Sequence, residues 1–298
     1  MRSNKIISCI LSVILLIATV GFVPAFAEPD VFSEDEIREF QDNIGFLKAI
    51  GVLDASEPDI SQTVTRAEMV KTVMETFGIP VAVNNVESPY LDVNAETPNY
   101  GYIMAATQSG IVNGDGELFR PNDKVLYEEA AKIAVSLLGY DYFANQLGGY
   151  PSGYLTKAAQ LGLISSEVGY NGYAMGWFGF SKILVNAVKT DMVMASINAS
   201  GEVSYKIGEG RTILRDIFHL NTVEGIVTRN IYTGKAEPEN VDSRAIEIDE
   251  KSYRTACDTK ALIGCRVKAY INDDNEVLYI EDYHKYNNIL TLDAENLE

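Results

Sequence analysis

Residues 64–71 read Val64-Thr65-Arg66-Ala67-Glu68-Met69-Val70-Lys71, and two later stretches align with them without gaps. These stretches are Val125-Leu126-Tyr127-Glu128-Glu129-Ala130-Ala131-Lys132 and Met175-Gly176-Trp177-Phe178-Gly179-Phe180-Ser181-Lys182. Apolar residues continue each stretch along one helix face, as with Val70, Val73, Met74 and Phe77. The pattern predicts one helical unit written three times, and such units usually bury their faces against one another.

A shorter helix is predicted before each of these stretches. The three helices cover residues 37–50, 100–109 and 154–161, and each is followed closely by a glycine, a common helix terminator: Gly51, Gly110 and Gly162. We therefore expect unit one at 28–82, unit two at 83–139 and unit three at 140–195. A linker with a short helix is expected at 196–221.

The first 27 residues have the three parts of an export signal. Arg2 and Lys5 give a positive start, an apolar stretch covers residues 6–23, and Ala25-Phe26-Ala27 has the small-x-small cleavage pattern. A membrane anchor is the alternative, since the apolar stretch is nearly long enough to span a bilayer. Cleavage after residue 27 is favoured because Pro24 and the cleavage pattern follow at the expected place. We expect a secreted protein with no membrane span after cleavage.

The chain is strongly acidic, with 24 basic and 42 acidic residues and a formal net charge of −18. Without Arg2 and Lys5, the predicted mature chain has 22 basic and 42 acidic residues and a net charge of −20. This charge argues against nucleic acid and against anionic membranes as partners.

No cofactor and no metal are expected. His219 and His284 have no ligand-spaced neighbour, and the loop at 113–121 is too short for a calcium loop and lacks its terminal Glu. Cys257 and Cys265 remain after export, and two readings stay open for them: one disulfide, or two small strand residues.

The period of the apolar pattern changes from helical to two after residue 221. Strands are predicted at 223–232, 245–249, 265–271, 277–283 and 289–292, separated by turns such as 233–235 and 272–276. They indicate a small antiparallel β-domain at 222–298, either a barrel or a sandwich. The fold class is therefore α+β with several domains, a helical repeat region followed by this β-domain.

The three units resemble the S-layer homology family. The resemblance rests on Tyr90-Leu91-Asp92-Val93, on Gly114-Asp115-Gly116 followed by Phe119 and Pro121, and on Thr65-Arg66-Ala67-Glu68. It implies a pseudo-threefold, three-pronged all-α body with ligand grooves between the units. It also implies non-covalent attachment to a secondary cell-wall polysaccharide of Gram-positive-type bacteria, often one carrying pyruvate ketals. Units two and three depart from the family signature.

Arg66 is the main candidate for a charged glycan contact. Thr65 and Glu68 can be explained as a capping box, but a cation in the first helical turn faces the positive end of the helix dipole. An Arg there makes sense if an anion such as a ketal carboxylate binds at the same place. The resemblance adds four further candidate glycan-binding residues: Glu68, Asp92, Tyr100 and Trp177. Trp177 either stacks on a sugar or packs in the core, and Asp92 either binds a hydroxyl or caps a turn.

The first hypothesis is thus a secreted, non-enzymatic cell-surface protein that anchors to an anionic cell-wall glycan. A second is a degenerate scaffold for contacts with other envelope proteins, because the signature is lost in two of three units. The chain is also consistent with the anchoring part of a larger surface enzyme or adhesin. A glycan-cleaving carboxylate pair is a weaker alternative in a chain so rich in acids.

Overall fold

The structure is a computed structural model that describes residues 32–54, 58–81, 87–165, 172–232 and 245–282. The predicted export signal at 1–27, the turn at 233–235 and the strand at 289–292 lie outside these residues. Eight helices are described: α1 Glu34–Ala49, α2 Arg66–Thr76, α3 Tyr100–Gln108, α4 Tyr127–Leu137, α5 Asp141–Gln146, α6 Ser152–Gln160, α7 Trp177–Lys189 and α8 Ile213–Asp216. None of them is long and apolar enough to cross a membrane.

Seven strands follow the last long helix, which confirms the α+β class. They are β1 Asp191–Ile197, β2 Val203–Thr212, β3 Asn221–Arg229, β4 Ala245–Ile248, β5 Lys251–Thr255, β6 Arg266–Ile271 and β7 Glu276–Asp282. The first two form a separate sheet, and the other five form a closed barrel.

The three repeated stretches meet in a cycle of backbone hydrogen bonds. The Val64 N–H donates to the Met175 carbonyl at 2.9 Å, the Met175 N–H to the Val125 carbonyl at 2.7 Å, and the Val125 N–H to the Val64 carbonyl at 2.9 Å. All three side chains are fully buried. Each unit therefore donates to one neighbour and accepts from the other, and the helices α2, α4 and α7 start from this ring.

The first helix of each unit ends close to the predicted position. Gly51, Gly110 and Gly162 have φ values of 79°, 69° and 70°, and a Cβ at any of them would meet no atom within 4 Å. The glycines are therefore needed for their left-handed backbone rather than for space. Helix α5 is an addition in unit three that the apolar pattern did not predict.

The barrel has the strand order β3-β4-β5-β7-β6, which closes on β3. Strand β6 returns to lie beside β3, so β6-β3-β4-β5 is a Greek key. Strand β7 completes the barrel by pairing antiparallel with β6 and parallel with β5. Strand β5 was missed by the sequence analysis because Tyr253 is its one large apolar residue. Cys257 and Cys265 are not joined in a disulfide, and Cys265 is buried in the barrel core.

The segment expected to be a linker is structured. Strands β1 and β2 form an antiparallel hairpin over residues 191–212, and α8 follows directly. The short helix was predicted, but the hairpin was not, because apolar residues fall on both sides of β1 and hide the alternation on which strand prediction depends.

The barrel packs against α1 and α7 through one side of β6 and β7. Tyr270 is fully buried with its ring centroid 4.9 Å from that of Phe46, and the Tyr279 hydroxyl donates to the Asp42 carbonyl at 3.0 Å. The Lys189 ammonium lies 3.3 Å from Glu281 Oε2, which also accepts from the Tyr270 hydroxyl at 2.6 Å. A charged, hydrogen-bonded group thus joins the last turn of α7 to the barrel.

Burial and pairing oppose each other at this contact. Burial favours the neutral form of Glu281, but the charge of Lys189 and the hydrogen bonds from Tyr270 and Lys189 outweigh it, so the pKa of Glu281 is lowered. For Lys189, burial outweighs the attraction of Glu281, and its pKa is lowered as well. The ion pair therefore stabilises the charged form of Glu281. Removing the carboxylate would leave the Lys189 ammonium buried without a counter-charge, which would cost free energy.

We expect Glu281→Gln to lower the free energy of unfolding by about 1–3 kcal/mol, because Lys189 loses its counter-charge. Chemical denaturation of the full chain measures this. The loss should be complete above the ordinary Glu pKa of 4.5 and fade as the pH falls through the lowered pKa, since wild-type Glu281 is then protonated. The control is Glu224→Gln on the outside of the barrel, where pairing with Lys268 is exposed and should contribute less than about 1 kcal/mol. Equal losses in the two variants would contradict this interpretation.

Candidate functional site

Arg66, Tyr127 and Trp177 occupy equivalent positions, each as the first residue of its helix. Their N–H groups donate to carbonyls of the following unit: Arg66 to Asp123 at 2.9 Å, Tyr127 to Tyr173 at 3.0 Å, and Trp177 to Gln62 at 2.9 Å. The gap-free alignment of the three stretches is therefore matched in space. Each of the three side chains therefore lies at the boundary between two units.

The predicted capping box at the start of α2 is confirmed. Thr65 accepts a hydrogen bond from the Glu68 N–H, and Glu68 Oε2 accepts from the Thr65 N–H at 2.9 Å. In unit two, Glu129 Oε2 accepts from the Leu126 N–H at 2.9 Å, but the leucine side chain has no oxygen, and the Glu129 N–H donates to the Leu126 backbone carbonyl at 3.1 Å instead. Glu68 thus has a complete local role, and a direct glycan contact by this residue stays a prediction.

Arg66 bridges unit one to the loop and helix of unit two. Its Nε donates to the Phe119 carbonyl at 3.0 Å, its Nη2 donates to the Asn113 carbonyl at 3.1 Å, and its Nη1 lies 3.4 Å from Glu129 Oε1. The guanidinium carbon is 4.9 Å from the centre of the Phe119 ring. The side chain is only 17% exposed. Three of its five N–H donors are thus engaged within the protein.

Arg66 nevertheless lies at the wall of a cleft of about 350 Å³, which we call the first cleft. The volume is at the lower end of the range for small-ligand sites, roughly 300–1,000 Å³. The charged residues that line it come from both units: Arg66, Asp115, Arg120, Asp123, Lys124 and Glu129. Arg120 pairs with Asp115 across the loop, and Arg66 pairs with Glu129. Lys124 is exposed and makes no ion pair with another described residue.

Asp92 positions the loop that forms this cleft. Its two carboxylate oxygens accept from the N–H groups of Phe119 at 2.9 Å and Arg120 at 2.7 Å. Burial favours the neutral acid, but these two bonds and the charge of Arg120 outweigh it and lower the pKa of Asp92. The Tyr90 hydroxyl accepts from the Gly114 N–H at 3.0 Å. Asp92 therefore holds the loop against the helices, and its predicted contact with a sugar hydroxyl has no support from this geometry.

A second cleft of about 280 Å³ is lined mostly by unit one, including Glu68 and Lys71, with Trp177 from unit three and Asn99 from unit two. Trp177 is 5% exposed and packs edge-on against Phe180, with ring centroids 5.6 Å apart. Stacking on a sugar needs an accessible ring face, so the burial favours the core-packing role of Trp177. Lys71 lies 3.6 Å from Asp54 at the same cleft.

Among the residues that the structure describes, no equivalent ion pair joins units two and three. A Cβ at Gly179 would lie 3.0 Å from Tyr127 Cζ and 3.1 Å from Met175 Sδ, so Tyr127 fills the place of a side chain at 179. At two boundaries the first residue of one helix thus meets the third residue of the next unit's helix, Arg66 with Glu129 and Tyr127 with Gly179. At the third boundary the equivalent residues, Trp177 and Glu68, both line the second cleft.

Two observations were not predicted from the sequence. Tyr100 is half-buried at the start of α3 and lines neither of the two described clefts, so its predicted glycan contact stays a prediction. Lys124 and Arg120 were not singled out, although both lie at the first cleft. Lys124 directly precedes Val125, which is one of the three buried residues of the hydrogen-bonded ring. A comparison of the residues that precede the ring position in each unit would have pointed to Lys124. The described residues contain no cluster of His, Cys, Asp and Glu that could hold a metal.

Comparison with known proteins adds a family to this geometry. Residues 89–131, which contain Asp92, the loop, Lys124 and the start of α4, match the family of the S-layer homology domain. The chain carries an S-layer homology domain. The match lies in unit two and includes most of the first cleft, whereas Arg66 itself comes from unit one.

The chain is also similar to three bacterial proteins. It is 22% identical, over 92% of its length, to the middle cell wall protein of Brevibacillus brevis, and 24% identical, over 64%, to the surface layer protein of Brevibacillus choshinensis. It is 30% identical, over 36%, to the exoglucanase XynX of Acetivibrio thermocellus. The matches cover 28%, 17% and 11% of the lengths of these relatives. Together with the S-layer homology domain, they indicate a location at the bacterial cell surface.

We expect Gly179→Ala to destabilise the protein, because the new methyl group meets Tyr127 and the buried Met175. The expected loss in thermal denaturation corresponds to about 1–3 kcal/mol, the range for overpacked sites. Gly45→Ala in α1 is the matched control, since its Cβ would lie 3.5 Å from Tyr279 in ordinary contact. That variant should gain up to about 1 kcal/mol from helix propensity. A stabilised Gly179→Ala protein would refute the pairing of residues 127 and 179.

Arg66→Met should lower the free energy of unfolding by about 1–3 kcal/mol, because two loop carbonyls and Glu129 lose a charged donor. The control is Arg38→Met in α1, whose side chain is 51% exposed and pairs with the exposed Asp35, so its effect should be below about 0.5 kcal/mol. Both are measured by chemical denaturation of the full chain. Similar stability of the two variants would show that Arg66 does not join units one and two.

Proposed function

We propose that the protein is a secreted, non-enzymatic cell-surface protein that attaches non-covalently to an anionic secondary cell-wall polysaccharide, with the first cleft as its binding site. The observation that carries the proposal is Lys124. It is an exposed ammonium without an ion-pair partner among the described residues, and it shares a cleft with the guanidinium of Arg66. The chain as a whole is acidic, with a net charge of −18. A cleft with an ammonium that is unpaired among the described residues differs from this acidic background and suits a carboxylate.

The other charges of the first cleft support this assignment. Arg120 is balanced by Asp115 and Arg66 by Glu129, so neither brings a full net charge to a ligand. Asp123 is the remaining acid, so the cleft holds three cationic and three acidic side chains and is neutral as a whole, whereas the chain is strongly acidic. A sugar-borne carboxylate, such as a pyruvate ketal, would bind Lys124 directly. It would meet Arg66 as a fixed donor with N–H groups to spare, held in place before binding.

The modest size of the cleft limits what it holds. About 350 Å³ fits a short segment or a chain end of a polysaccharide rather than a long stretch. A single such site would bind weakly, and the second cleft, with Lys71 and Gln62 at its wall, would add avidity if it contacts the same polymer. The similarity to a cell wall protein and a surface layer protein supports this role. The wall of a Gram-positive-type bacterium is the proposed location.

The contacts that Arg66 makes within the protein favour a second function. A guanidinium that is 17% exposed and holds three partners serves the junction between units as well as any ligand. In that case the units form a scaffold for contacts with other envelope proteins. A role as the anchoring part of a larger surface enzyme or adhesin is also proposed, since the chain matches only 28%, 11% and 17% of the lengths of its three relatives.

Lys124→Ala should weaken binding of the full chain to purified cell-wall polymer about tenfold, which corresponds to the loss of one charge-assisted contact. Co-sedimentation with the polymer measures the affinity. The matched control is Lys132→Ala, which removes an exposed lysine of the same unit from α4, outside the lining of the first cleft, and should change affinity less than twofold. Raised salt should weaken wild-type binding.

The same assay separates the two functions. Amidation of the polymer carboxylates should abolish binding of the wild-type protein if the first cleft recognises an anion. Equal binding by Lys124→Ala and Lys132→Ala would remove the first cleft from the mechanism. No binding by any form, together with a protein partner recovered by crosslinking, would select the scaffold.

A further inference from the structure

The backbone of Arg120 has a conformation that arginine rarely adopts. Its φ is 60°, in the left-handed region, although the residue carries a Cβ. Such a residue is strained there, whereas glycine adopts the same conformation without that cost. Strained residues of this kind cluster at binding sites. An arginine at this position therefore indicates that its side chain has a function.

The protein fixes the backbone of Arg120 and leaves its side chain at the surface. The Arg120 N–H donates to Asp92 Oδ2 at 2.7 Å, and the Arg120 carbonyl accepts from the Asp123 N–H at 3.1 Å. Both chain neighbours, Phe119 and Pro121, are buried. The Arg120 side chain is nevertheless 52% exposed and lines the first cleft. Its guanidinium is thus presented to the cleft from a fixed backbone.

The Arg120 guanidinium is held by an ion pair that another carboxylate can replace. Its ion-pair partner among the described residues is Asp115, which is also 52% exposed and lines the same cleft. An exposed pair of this kind contributes little free energy, so exchange of one carboxylate for another is easy. Arg66 differs, because it is 17% exposed and its guanidinium holds Glu129 and two loop carbonyls.

We propose that Arg120 is a ligand-binding residue of the first cleft, and that Asp115 occupies its guanidinium until a carboxylate of the ligand takes that place. This inference rests on the proposed function, since it requires an anionic polymer at the first cleft. A guanidinium binds a carboxylate through two parallel hydrogen bonds, so the exchange preserves the pairing and releases Asp115 to water. Lys124 then balances the charge that the ligand adds, and Arg120 fixes the orientation of its carboxylate.

Asp115→Asn should tighten binding of the full chain to purified cell-wall polymer about threefold, because it removes the internal competitor for Arg120. Co-sedimentation measures the affinity. The matched control is Asp35→Asn, which removes the same charge from an exposed pair with Arg38 in α1, outside the lining of the first cleft. That variant should change affinity less than twofold. A gain in affinity cannot result from damage to the fold.

Arg120→Gly should weaken binding to the same polymer about tenfold, since the ligand loses a charged donor. Its melting temperature should exceed that of Arg120→Ala, because both variants lose the side chain and only glycine relieves the backbone strain. Within the Arg120→Gly protein, Asp115→Asn should give no further tightening, because no guanidinium remains to be released.

Two results would overturn the proposal. One is wild-type affinity in Arg120→Gly, and the other is equal tightening by Asp115→Asn with and without Arg120, which would show simple repulsion between Asp115 and the ligand. Comparison with Lys124→Ala separates this inference from the proposed function. If Lys124→Ala weakens binding and Arg120→Gly does not, the exchange at Arg120 alone is wrong. If Lys124→Ala binds like the wild-type protein, the first cleft is not the binding site and both fail.

Discussion

A closed cycle of three backbone hydrogen bonds, among Val64, Val125 and Met175, is the constraint on which the helical body depends. Each bond is made by a fully buried residue, so a missing partner would leave an amide or carbonyl without water and cost about 1–3 kcal/mol. No unit can satisfy its own group, and no pair of units can close the cycle. The ring therefore makes the fold of each unit conditional on the other two.

The ring also explains why the clefts occur where they do. Because the helices α2, α4 and α7 start from it, their first turns face the neighbouring unit at a fixed distance. At two of the three boundaries the first helical residue of one unit then meets the third residue of the next, as Arg66 meets Glu129. The same rule accounts for Tyr127, which needs the missing side chain of Gly179. Part of the departure from the family signature in units two and three is thus explained by packing, because Tyr127 and Gly179 changed together at one boundary.

The sequence was most informative where local pattern and tertiary packing agree. The apolar spacing after Val64, Val125 and Met175 predicted all three ring helices, and Gly110 marked a real left-handed turn. It could not reveal contacts between residues far apart in the chain, such as Lys189 with Glu281. It also missed the hairpin, because strand prediction relies on one side of a sheet being polar, and Met194 is apolar on the side opposite Val193. Asp92 was singled out as a candidate sugar contact, but the fold shows both of its oxygens accepting from the loop.

Helix α7 links the ring to the barrel. Its first residue, Trp177, lies at the second cleft. Its last residue, Lys189, pairs with Glu281, and its ammonium lies over the rings of Phe46 and Tyr270. A helix of 13 residues is about 18 Å from first to last residue and resists bending. The barrel is therefore oriented by the same element that completes the ring. A ligand held between the units would fix the direction in which the barrel is presented, without any contact of its own to the barrel.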